Sequence, residues 1–194
     1  RSRDKTYSNA YQDYLSYYAR NTLKHVDFEE GVISIAGEAF RDCIALATVE
    51  FPGTLERIGD YAFENASAIK MTLPEGLSTL GVGSFSCSRI TSVTIPNSLA
   101  EIPGECFAGC YGLKAVYAHH ADALQTIDET AFSGCAETTA FYGYPGTALA
   151  SFAQKKGFVF VSLLEKLIPD FVLPAFLKEI GEEAFRGCAF TAEI

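Results

Sequence analysis

The sequence predicts an α/β solenoid with a short-stranded parallel β-sheet and a helical N-terminal cap. Three observations carry that reading. A nine-residue pattern ending in Phe recurs six times, each copy leads into a strand-like segment, and the chain opens on a helical stripe of tyrosines.

The repeat comes first, because self-similarity at a fixed period decides the architecture before any local assignment. The copies are "VISIAGEAF" (32–40), "LERIGDYAF" (55–63), "LSTLGVGSF" (77–85), "LAEIPGECF" (99–107), "LQTIDETAF" (124–132) and "LKEIGEEAF" (177–185). Aliphatic residues stand eight and five places before each Phe. The first five Phe positions are separated by 23, 22, 22 and 25 residues.

A second module follows each Phe, most clearly "CIALATVEFP" (43–52), "SAIKMTLP" (67–74) and "CSRITSVTIP" (87–96). Its end alternates apolar with polar residues, as a strand with one buried face does. The Pro closes the strand because it offers no N–H to a ladder. His119 and Tyr144 hold that place in the next two coils.

A period of about 22 residues is one solenoid turn: a short strand, a corner, a return segment and a second corner. Stacking sets equivalent strands about 4.8 Å apart in a parallel sheet. One coil buries about six apolar side chains at roughly 2 kcal/mol each. That cannot offset the ordering of its residues at about 1–2 kcal/mol apiece. Neighbouring coils are therefore obligatory, and the ends need covers.

The expected organisation follows in order. Residues 1–31 form a helical cap, with Tyr7, Tyr11, Tyr14 and Tyr18 on one face and Ser8 or Asn9 as its N-cap. Residues 32–145 hold five coils of about 22–25 residues. Residues 146–163 close them: Thr147 caps a helix that turns Leu149, Phe152 and Ala153 inward, Gly157 stops it, and a strand follows. Residues 164–194 carry an incomplete sixth repeat, in which "DFVLP" (170–174) replays the strand-and-Pro ending.

Bulk properties exclude several classes. The 194 residues are 48% apolar and 20% charged, so the chain is not a disordered tail. With 24 acids against 15 bases the formal charge is −9, which argues against nucleic acid and anionic membranes as partners. The longest apolar run, "FVFVSLL" (158–164), is too short to span a bilayer, so no membrane insertion is expected. The opening "RSRDKTYS" has neither an initiator Met nor a signal peptide and is read as a mature or trimmed form.

Five of the six cysteines, Cys43, Cys87, Cys110, Cys135 and Cys188, are read as one ladder just before the strand, with Ala66 there in the second coil. Cys alternating with Ala asks for a small apolar side chain, so reduced, buried thiols are expected rather than disulfides or a metal site. Cys106 lies outside that ladder.

These residues carry a signature, L-x-x-I-G-x-x-A-F and then C-x-x-L-x-x-V-x-I-P, which resembles the BspA-like bacterial leucine-rich repeat family. "LERIGDYAF" and "ITSVTIP" match closely, and "YGYPGTALASFAQKKGF" resembles the way arrays of this family finish. Pro103 and Asp128 depart from the Gly position. The resemblance implies a right-handed leucine-rich repeat superhelix. It also implies a secreted or cell-surface bacterial protein acting in adhesion and host interaction, with no catalytic residues and no cofactor.

Three functions are weighed. The first is binding of a protein or glycan through the outward strand face, where Glu50, Thr72, Thr94, Tyr117 and Tyr142 form one row, flanked by Thr48, Lys70, Ser92, Ala115 and Ala140. Tyrosines among small polar residues suit an interface, although Thr and Tyr also serve strand propensity. The second is catalysis, for which G-x-S-x-G, H-E-x-x-H, G-x-G-x-x-G and P-loop motifs are all lacking. "GVGSFS" (81–86) sits at coil corners, and "HHAD" (119–122) reads as a loop insertion rather than metal ligands. The third is a structural spacer or self-association unit acting as a homo-oligomer through residues 165–194.

Overall fold

Each strand-like segment turns one apolar residue inward, and a coil of this length returns it beside its predecessor. The result is a parallel-strand solenoid of about six turns. The computed structural model describes residues 5–7, 20–67, 71–119 and 123–164. Its strands run β1 (Lys5–Tyr7), β2 (His25–Asp27), β3 (Val32–Ile35), β4 (Thr48–Glu50), β5 (Arg57–Ile58) and β6 (Thr79–Leu80). They continue as β7 (Ser92–Thr94), β8 (Glu101–Ile102), β9 (Ala115–Tyr117), β10 (Thr126–Ile127), β11 (Ala140–Gly143), helix α1 (Ala148–Lys156) and β12 (Val159–Ser162).

Two parallel files result, one on each side of the coil. The first comes from the L-x-x-I segments, in the order β1-β3-β5-β6, with β8-β10 beyond it. Where coils pair there, the residue after the Ile donates across the file. The Gly59 N–H reaches Ile35 O at 2.9 Å, Gly81 reaches Ile58 O at 2.8 Å and Asp128 reaches Ile102 O at 2.9 Å. Pro103 holds that place in the fourth coil and has no N–H to give Leu80, so the file breaks between β6 and β8. Gly81 also permits close approach, because a Cβ there would stand 2.3 Å from Asp60 N.

The second file comes from the V-x-I-P segments, with β2 beside β4 and then β7-β9-β11-β12. Val93, Val116, Phe141 and Phe160 lie in register, and Val26 pairs with Val49.

The return segments are not helical. Glu38, Tyr61, Gly83 and Glu105, two residues before Phe, have left-handed backbones, as do Asp42, Asn65, Cys87, Gly109 and Gly134, two residues after it. Left-handed residues twice in each of the first four coils stop a helix and aim alternate N–H groups at the next coil. Phe40 donates to Ala62 O at 2.7 Å, Phe63 to Ser84 O at 2.8 Å, Phe85 to Cys106 O at 2.9 Å and Phe107 to Ala131 O at 2.8 Å. The described residues accordingly form a strand solenoid with little helix, α1 being nine residues long.

The Phe rings follow their backbones into a stack. Phe40, Phe63, Phe85, Phe107 and Phe132 lie 5.1, 5.4, 5.6 and 5.2 Å apart. All four pairs are within 16° of parallel. Phe28 ends the stack edge-on at Phe40 (5.6 Å, 90°). Phe152 of α1 ends it at Phe132 (5.6 Å). Thr147 Oγ1 accepts the Ala150 N–H at the start of α1, and Gly157 (φ 78°) closes its last turn. Leu149, Phe152 and Ala153 are its buried residues.

At Tyr7 the structure departs from the expected helical face. Tyr7 ends β1, which pairs with β3, so it does not open a helical face. Tyr11, Tyr14, Tyr18 and residues 165–194 lie outside the described residues. His25–Asp27 is a strand of the second file, inside the segment expected to cap it.

Candidate partner-binding face

Inward residues of the second file leave their neighbours pointing outward, in two rows. One row runs His25, Thr48, then Ser92, Ala115, Ala140 and Val159. The other runs Asp27, Glu50, then Thr94, Tyr117, Tyr142 and Val161. Thr94, Tyr117 and Tyr142 are therefore brought side by side, as the repeat register predicts. Thr72 is exposed between the two sheets and belongs to no strand, and Glu50 faces Asp27 rather than the tyrosines. Lys70 lies outside the described residues.

The tyrosines stack, with ring centroids 4.7 Å apart and planes 19° apart. The His119 ring lies 5.8 Å from Tyr117 at 11°. It is exposed, in the place that Pro holds in the earlier coils, so the aromatic row turns the corner of the strand. His120 and Asp122 lie outside the described residues, and among the described residues no three His, Cys, Asp or Glu side chains gather as a metal site. The ends of the face differ in chemistry. His25 Nδ1 and Thr48 Oγ1 are hydrogen-bonded at 2.5 Å at the first end, and uncharged side chains fill the last.

Four residues of this face escaped sequence reasoning: His25, Asp27, Val159 and Val161. The signal for the first two is "HVDF" (25–28), which matches "TVEF" (48–51) without the following Pro.

The thiols correct one expectation and resolve another. Cys87 stands two residues after Phe85, not three; it is exposed, and Ser88 is buried in the ladder position. Ser88 Oγ lies 3.4 Å from Cys110 Sγ. Cys106 belongs to a second small-residue ladder just before Phe, with Ala39, Ala62, Ser84 and Ala131. It is fully buried, 3.2 Å from Ser84 Oγ. Burial pushes Cys43 and Cys110 up to about 11 and Cys106 and Cys135 up to about 12. At neutral pH these four are protonated thiols, poor nucleophiles that pack as small apolar groups.

The charged groups near α1 are structural. Thr130 donates its hydroxyl (2.6 Å) and its N–H (2.8 Å) to Asp128, holding that carboxyl below its usual range. Lys155 pairs with Glu129, and Lys156 lies 3.6 Å from the same carboxylate. No helix among the described residues is long and apolar enough to cross a membrane.

Paired files of short parallel strands, a return segment with left-handed corners and a central Phe ladder define a repeat solenoid. A family model described as the BspA type leucine-rich repeat region matches six copies over residues 13–139. That is more than half of the chain, which belongs to this family of bacterial repeat proteins, generally found at the cell surface. Similar solved structures include the pneumococcal vaccine antigen PcpA, at 21% identity and TM-score 0.64, covering 76% of this chain and 38% of that one. A leucine-rich repeat protein from Bacteroides ovatus matches at 26% identity and TM-score 0.57, covering 66% of this chain and 33% of that one. A T. pallidum leucine-rich repeat protein matches at 24% and 0.52, covering 76% of each chain. The likeness to the first and third is one of fold, and the chain spans 38% and 33% of the length of the first two. None of these matches indicates a catalytic family. No curated protein matches the sequence.

Proposed function

We propose that this chain is a non-enzymatic binding module of a secreted or cell-surface bacterial protein. It engages a protein or glycan partner through the outward face of the second strand file. The supporting observation is the stacked Tyr117–Tyr142 pair, partly buried on that face and extended by His119. Aromatic side chains with few rotamers present large contact area at low entropic cost, which is why interfaces favour them. Family membership supports the cell-surface assignment, and the raised thiols argue against nucleophilic chemistry.

The test is a screen of the chain against immobilised matrix proteins and glycans, repeated with Tyr117→Ala and Tyr142→Ala. Loss of binding in both variants, with cooperative unfolding of a folded chain retained, supports the assignment. Unchanged binding sinks it. Protease shaving of intact cells checks the location, since a surface protein is cleaved before lysis.

A further inference from the structure

We draw no further inference here: the strongest candidate, the open groove between the edge strand β10 and helix α1, lined by Ile127, Ser151, Phe152 and Lys155, is an uncovered sheet edge at which nothing in the structure shows what docks.

Discussion

The two ends of the outward face share one backbone geometry and differ in everything else. At β2 and β4 the outward residues are His25, Asp27, Thr48 and Glu50; at β9, β11 and β12 they are Ala, Tyr and Val. Beneath both ends lie inward apolar residues, Val26 and Val49 at the first and Val116, Phe141 and Phe160 at the last, and one Phe stack runs under both. The difference shows that inward residues alone sustain the coil, leaving each outward row free to take on another role. At the first end Asp27 and Glu50 stand directly opposite, a like-charge pair that costs stability. At the last end Tyr117 and Tyr142 stack, which stabilises the sheet.

That comparison breaks most readily at the core. Leu46 and Leu113 occupy equivalent places before β4 and β9, and both are essentially unexposed. Leu46→Ala and Leu113→Ala are each expected to cost about 3 kcal/mol, read from urea unfolding midpoints. A cost confined to one of them would mean that the two ends do not share one frame.

A second difference lies in the thiols: Cys106, Cys110 and Cys135 lie toward the last end, and Cys43 alone toward the first. A raised folded pKa means that the unfolded thiol ionises first. Its stabilising contribution is whole below pH 9 and is lost as pH rises toward the folded value, about 12 for Cys106. Between those values each such thiol contributes a slope of about 1.4 kcal/mol per pH unit. Cys106→Ala, which places Ala where Ala62 and Ala131 already stand, is expected to flatten stability between pH 9 and 10 relative to the parent chain. Parallel curves for the two proteins would refute the buried thiol as its source.

Smaller effects belong to the face. Tyr142→Thr removes one stacked ring and is expected to cost about 1 kcal/mol, measured by thermal melting. Glu50→Lys converts the like-charge pair with Asp27 into an opposite one and is expected to gain about 0.5 kcal/mol, diminishing with added salt. A loss on Glu50→Lys would show that the first end carries a contact that its row does not reveal.

The repeat register was legible because a solenoid turns sequence period into spatial neighbourhood. Phe spacing predicts that equivalent residues of successive coils are neighbours, and V-x-x-P spacing predicts the Thr94, Tyr117 and Tyr142 row. Local chemistry sufficed for α1 as well, through Thr147 at its start and Gly157 at its end. Other features depended on contacts between coils that no single segment encodes. Left-handed backbones at Glu38, Tyr61 and Glu105 exist because alternate N–H groups must reach the next coil, and those residue types do not announce them. One residue of offset moved Cys87 out of the thiol ladder and gave its place to Ser88. The sequence by itself determined the repeat, the inward ladders and the outward row, because all three follow from period and alternation. Only the tertiary structure decided that the tyrosine faces close on one another, because ring orientation follows from strand spacing once the coils are stacked.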